Sequence, residues 1–317
     1  MQPGFGVHIA PQFGYSYEEV QEIVAHVERK GYNLLTIGDH LFLDENSAER
    51  DCMEAWMLVG ALASQTSRIR LGTLVSANSF RHPSLMAKMA ATADVISNGR
   101  LVFGIGAGWK EIEYDAYGYD FPTARVRLEQ LEEAVQIIRL MWTEDAASFE
   151  GHHYRIRNAF CSPKPIQKPH PPILVGGHGK KHTLRIVAKY ADMCNITFQV
   201  GFELVDLLDA LRLHCEKAGR DYDSIEKTFF VYCAVFEEEQ DLELFIENLA
   251  MQQGTTSKRL KERHSQMPGS WIGTPESIIE KCRYLQERGF TLFQVRFPFG
   301  QDIHMSSLFH ERVASRI

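Results

Sequence analysis

The 317-residue chain has no Cys-x-x-Cys pair; its six cysteines, Cys52, Cys161, Cys194, Cys215, Cys233 and Cys282, are scattered along it. That spacing argues against a thioredoxin-type motif or a zinc ribbon, and reads as reduced, mostly buried thiols in a cytosolic protein. No apolar run approaches the roughly 18 residues of a membrane span. The opening Met1-Gln2-Pro3-Gly4 also lacks the basic segment and apolar core of a secretory signal. A cytoplasmic chain with no membrane partner is therefore expected. Basic charge is in deficit too: 34 Lys+Arg against 41 Asp+Glu leave a formal net charge of -7. Phosphate backbones want a basic stripe, so no nucleic-acid partner is expected. No Gly-x-Ser-x-Gly elbow is present, and the 13 histidines include no His-x-His after the first strand. The usual ligands of a metal-dependent barrel hydrolase are thus missing, and no metal is expected.

What is present is a regular alternation. Short apolar or β-branched runs recur at Gly6–Ile9, Leu34–Ile37, Ile69–Val75, Leu101–Ile105, Ile173–Val175, Met193–Ile196, Phe229–Phe236 and Leu292–Phe297. Most lack polar/apolar alternation, as expected of strands covered on both faces. Helical patterns with readable ends lie between them. Ser16 and Glu19 make a capping box and Gly31 a terminator; Pro83 suits a first turn, with Asn98-Gly99 as its stop. Eight βα units fit a closed α/β (β/α)8 TIM barrel better than an open sheet. Successive strand starts lie 28, 35, 32, 72, 20, 36 and 63 residues apart. A plain unit needs roughly 30, so insertions follow the fourth and seventh strands. The first holds Phe149-Glu150-Gly151-His152 and a Pro-rich stretch from Pro163 to Pro172, read as a hairpin and an extended arm. The second, Gln252 to Trp271, reads as a polar basic loop carrying Lys258, Arg259, Lys261, Arg263 and His264, either a lid or a solvated mobile loop. Residues 1–317 form one domain on this reading.

Barrel chemistry sits at the C-terminal strand ends. There the chain places Asp39-His40, Gly106-Ala107-Gly108-Trp109, Gly176-Gly177-His178-Gly179 and Arg296. An imidazole at a strand end can move a proton near neutral pH, or simply bond loop backbone. Gly176–Gly179 before a helix, with Lys180 and Lys181 next, suits either a phosphate cradle or a plain tight turn. Gly104-x-Gly106-x-Gly108 is one residue short of a dinucleotide fingerprint, and reads as backbone running close to a flat ligand. Arg81-His82-Pro83 reads as a helix entry with a capping or surface histidine.

Seven segments in order carry a resemblance: Gly38–Phe42 (GDHLF), Ser67–Val75, Arg81–Pro83, Gly99–Pro122 (GRLVFGIGAGWKEIEYDAYGYDFP), Phe149–Ile156, Pro163–Gly177 and Thr183–Ile196. Together they are similar to the luciferase-like monooxygenase superfamily, in particular its coenzyme F420-dependent oxidoreductase branch. The resemblance implies a barrel binding F420, or alternatively FMN, at the strand ends. It implies that Asp39 contacts the cofactor and serves the reaction together with His40, and that a non-prolyl cis peptide at Leu74-Val75 backs the ring. Ala107 and Gly108 would line the ring, and Gly176, Gly177, His178 and Gly179 the phosphate. Trp109 stands where the sugar-phosphate dehydrogenases of the family have a Glu, and cannot act as a carboxylic acid. Trp109 and Arg296 are candidate substrate contacts. The implied activity is hydride transfer to or from a small organic substrate, with His40 held by Asp39 or by cofactor contacts. The alternatives are an FMNH2-dependent two-component monooxygenase fed by a partner reductase, and a flavin-binding protein without turnover. A homodimer is expected, with Met53, Trp56, Met57, Val59 and Leu62 as contact residues or as barrel packing.

Overall fold

The strands of the parallel sheet are buried along most of their length, and the sheet closes on itself. The computed structural model describes residues 2–47, 49–197 and 203–317. Its strands are β1 (Gly4–Ile9), β2 (Leu34–Ile37), β3 (Arg70–Thr73), β4 (Ser76–Ala77), β5 (Leu101–Gly106), β6 (Ala147–Glu150), β7 (Arg155–Ala159), β8 (Ile173–Gly176), β9 (Met193–Ile196), β10 (Glu226–Val235), β11 (Ser270–Gly273) and β12 (Phe290–Arg296). The barrel runs β1-β2-β3-β5-β8-β9-β10-β12 and returns to β1, where Val7 pairs with Val295. All eight pairings are parallel, with helices outside, so the fold is the expected (β/α)8 barrel.

Local chemistry sets the helix ends. Ser16 and Glu19 form the capping box of the Tyr17–Lys30 helix, and Gly31 ends it at φ 83°. The His82 ring caps the Pro83–Ile96 helix by accepting from Ser84 N–H, and Asn98 and Gly99 leave it in left-handed conformation. Of the five apolar residues considered for a dimer, Trp56, Val59 and Leu62 are buried against the barrel and Met53 is partly buried. Only Met57 is exposed.

Two apolar layers hold the barrel. The larger lies between strands and helices. The smaller fills the interior with Leu34, Val102, Leu174, Met193 and Leu292, and Leu74 and Val75 pack on it. Each of these fully buried side chains contributes roughly 1.5–3 kcal/mol. The Leu74-Val75 peptide is cis. The Ile69–Val75 strand accordingly stops at Thr73 and resumes as β4, which pairs with β5.

In the insertion after the fourth barrel strand the hairpin forms as read, with β6 and β7 antiparallel, whereas the Pro-rich stretch bends instead of running extended. The insertion after the seventh does not fold as read. Gln252–Trp271 is no open loop: a Ser257–Ser265 helix occupies it, capped by Thr256, and β11 begins at Ser270 and pairs with β10. Leu260 is the reason, a single apolar residue that buries against Ile246 and Ala250 of the preceding helix. Three of its basic residues are engaged locally, Lys261 with Glu243, Arg263 with Gln253 and the His264 ring with Ser270.

The glycines of β5 also differ from their reading. A Cβ on Gly104 would lie 1.9 Å from the Thr73 carbonyl oxygen, and one on Gly106 2.7 Å from Val75 Cγ2. On Gly108, at φ 78°, it would meet the Tyr114 hydroxyl. The space these glycines free is filled by protein, not left for a ligand. Gly104→Ala should therefore lower unfolding free energy by about 3 kcal/mol through overpacking against backbone, read as a lower denaturation midpoint; an unchanged midpoint would show that β3 and β5 can part.

Candidate active site

The C-terminal strand ends gather most of the expected residues into one mouth. Asp39, just past β2, is buried and fully committed. Its two carboxylate oxygens accept from the Arg81 guanidinium at 2.7 and 2.9 Å, and one of them also accepts from Ala77 N–H at 3.0 Å. Arg81 also pairs with Glu54, which caps the Ala55–Gln65 helix. Burial disfavours the Arg81 charge, but hydrogen bonds and attraction from Asp39, then Glu54, outweigh it and raise its pKa. Arg81 is thus an interior clamp, while His82 beside it is the capping residue anticipated.

The carboxylate that holds His40 is Glu113, not Asp39. The His40 Nδ1 lies 3.0 Å from both oxygens of Glu113, on the short Glu111–Tyr117 helix. Glu113 is 1 % exposed and also accepts from Leu41 N–H at 2.8 Å. Burial alone would raise its pKa; the His40 hydrogen bond and charge, the Leu41 amide and Lys110 together hold it below the usual value. Because Nδ1 faces a carboxylate, it carries a proton, and Nε2 is the nitrogen available for exchange. Trp109, 72 % exposed, stands edge-on to the imidazole at 5.8 Å.

The Leu74-Val75 step is tied to the end of β2, three residues before His40, where Leu74 N–H donates to the Ile37 carbonyl at 3.0 Å. Val75 abuts Gly106 on one side and Gly176 on the other, where a Cβ would come within 2.7 and 2.9 Å of it. Gly176 thereby joins the glycine loop to the same platform. Gly177 follows at φ 134°, and His178 is half-buried, its pKa lowered by burial. Gly179 packs against Thr183, the first residue of the next helix. Ala107 is partly buried beyond β5. Lys180 is paired with Asp206 at 2.7 Å, and Lys181 is exposed.

Across the mouth, Arg296 ends β12 between the rings of Tyr232 and Phe13, 4.9 and 5.1 Å from their centroids. It makes no salt bridge among the described residues, and burial lowers its pKa. Nearby, the Tyr15 hydroxyl bonds both oxygens of Asp302 at 3.1 Å, and burial pushes that carboxyl up to about 6. Sequence reasoning missed Glu113, Arg81, Glu54 and the Tyr15–Asp302 pair. Arg81 reads in the sequence only as part of a helix entry, and Glu113 is the inward one of the two acids, Glu111 and Glu113, in the first turn of its helix.

Comparisons with known proteins agree with this geometry. The family model described as luciferase-like monooxygenase matches residues 4–292. An F420-dependent glucose-6-phosphate dehydrogenase of Segniliparus rotundus is 26% identical over 329 residues, covering 96% of this chain and 95% of that one. Among solved structures, an F420-dependent secondary alcohol dehydrogenase in complex with an F420-acetone adduct superposes with TM-score 0.81 at 18% identity, over 100% of both chains. The monooxygenase RslO1 from Streptomyces bottropensis does so equally well, at 20% identity and TM-score 0.81 over 99% of each. At those identities the two structures establish the fold and no more.

The Glu113 arrangement has a measurable signature. Its folded pKa is depressed, so its stabilisation is complete above the unfolded value of about 4.3 and is lost as pH falls through the lower folded value. Glu113→Gln should cost about 2 kcal/mol at neutral pH. The gap from wild type should close in acid, in denaturant melts run from neutral pH downward. A gap that stays constant with pH would mean that the carboxylate charge is not what holds His40.

Proposed function

Because the chain belongs to the luciferase-like monooxygenase family, we propose that it is an F420-dependent oxidoreductase that moves a hydride to or from a small organic substrate. The observation that carries this is the His40–Glu113 pair just past the end of β2, to which the Leu74-Val75 platform is tied. Full-length similarity to a relative named F420-dependent glucose-6-phosphate dehydrogenase supports the cofactor. The residues present fit such a group. The platform is apolar, Gly106 and Gly176 flank it without side chains, and the Gly176–Gly179 turn can turn backbone N–H groups toward a phosphate before a helix.

On this reading Leu74, Val75, Ala107 and Gly108 back the ring system, and Gly176, Gly177, His178 and Gly179 receive the phosphate. Bound F420 supplies a two-electron hydride carrier. His40 takes or gives the accompanying proton at Nε2, while Glu113 fixes its tautomer through Nδ1. Asp39 serves by clamping the backbone that carries His40, through Arg81 and Ala77 N–H. Arg296, a guanidinium without a carboxylate partner, receives an anionic group of the substrate, and Trp109 walls the mouth. Trp109 has no proton to donate, so acid-assisted oxidation of glucose 6-phosphate from that position does not carry over.

Titration of the purified protein with F420 and with FMN, followed by oxygen consumption, tests the cofactor. F420 binding without oxygen uptake is expected, and FMN-dependent oxygen uptake with an oxygenated product would overturn the reading. His40→Ala should slow single-turnover hydride transfer by about 10²–10⁴-fold and leave F420 affinity unchanged. An unchanged rate would remove His40 from proton transfer.

A further inference from the structure

His8 plays no part in the chemistry above, yet its surroundings fix it closely. It lies at the end of β1 inside the mouth, 6 % exposed, its ring edge-on to Phe230 at 5.2 Å. Its Nδ1 is 3.1 Å from Thr36 Oγ1, and Thr36 donates its only hydrogen to Gln294 Oε1, also at 3.1 Å. With Gln294 oriented so that its Oε1 accepts from Thr36, His8 Nδ1 donates to Thr36 Oγ1 and Nε2 is left a bare lone pair. Burial first, then Arg296 and His40, pushes the imidazole down to about 3, so the ring stays neutral near physiological pH.

Nε2 has no hydrogen-bond partner among the described residues. It faces Gly38, the residue before Asp39-His40: a Cβ there would lie 3.4 Å from Nε2 and 3.5 Å from Gln12 Oε1. Gln12 Oε1 is itself buried with no donor among the described residues. Two acceptors thus flank the backbone that leads into the catalytic pair, and the chain offers neither a donor. A buried acceptor without a donor is unfavourable. Water can supply one at rest, and a ligand hydroxyl can replace that water.

We propose that His8, with Gln12 beside it, is a substrate-positioning residue whose Nε2 accepts a hydrogen bond from a second, non-reacting hydroxyl, so that the substrate is a polyhydroxylated alcohol. This rests on the hydride-transfer reading. In the oxidising direction the reacting carbon loses a hydride to the cofactor, its hydroxyl loses a proton to His40, and a carbonyl forms. The hydroxyl at His8 is unchanged.

The test offers the F420-loaded enzyme 1,2-propanediol and 2-butanol, secondary alcohols that differ by a hydroxyl for a methyl. The diol should be favoured by about tenfold in kcat/KM, mainly through KM. His8→Phe should erase that preference, and His8→Gln, which returns an acceptor near the Nε2 position, should restore part of it. No preference in wild type, a preference that survives His8→Phe, or an equal loss for both alcohols would overturn the subsite. The ¹⁵N spectrum of histidine-labelled protein reads His8 without turnover. A lone-pair Nε2 signal that does not titrate from about pH 5 to 9 is expected, and a protonated Nε2 overturns the proposal. If neither alcohol is oxidised, the hydride-transfer reading fails and the subsite with it, whereas oxidation of both without preference overturns the subsite alone.

Discussion

The buried ion pair between Asp39 and Arg81 is the constraint on which the site depends. It ties the end of β2 to the turn before the Pro83–Ile96 helix and, through Glu54, to the start of the Ala55–Gln65 helix. Through Ala77 N–H it also fixes β4, just past the Leu74-Val75 step. Removing one partner would strand a charge in the interior, a loss of about 3–5 kcal/mol. Arg81 engages both oxygens of Asp39, and a different carboxylate holds His40. Glu113 does so from the Glu111–Tyr117 helix, which only four residues separate from β5.

That division of labour changes what the Trp109 position means. A carboxyl that lined the ligand there could hand over a proton; Trp109 cannot. The acid nearest the imidazole sits behind it, on Nδ1, where it orients the ring and leaves Nε2 free. The same device recurs on a second, buried histidine, since Thr36 and Gln294 fix His8 from behind. Beside His8, on the paired strand β12, stands Arg296, stacked among aromatic rings with no salt bridge among the described residues. The mouth thus presents two imidazole faces and one cation above an apolar floor, a pattern suited to a small polar substrate.

Much of the barrel was legible because barrel strands are local signals. Leu34–Ile37 and Met193–Ile196 form with the bounds read from their apolar runs, and the Ser16–Glu19 box and the His82 cap are contacts between near neighbours in sequence. The resemblance likewise implied the Leu74-Val75 cis peptide. What escaped was long-range or weakly patterned. Asp39 and Arg81 are 42 residues apart and His40 and Glu113 are 73, distances over which periodicity says nothing. The Ser257–Ser265 helix shows one buried apolar residue, too few to make a stripe. The β5 glycines were misread because a missing Cβ shows that something approaches, not what.

The central claim is that His40 and Glu113 act as one proton-handling unit. A double-mutant cycle on single-turnover F420 reduction tests it directly, comparing wild type, His40→Ala, Glu113→Gln and the double variant. If Glu113 works only through His40, its substitution slows wild type but adds nothing once His40 is gone. Independent, multiplying losses, or a Glu113→Gln variant as fast as wild type, would contradict the account.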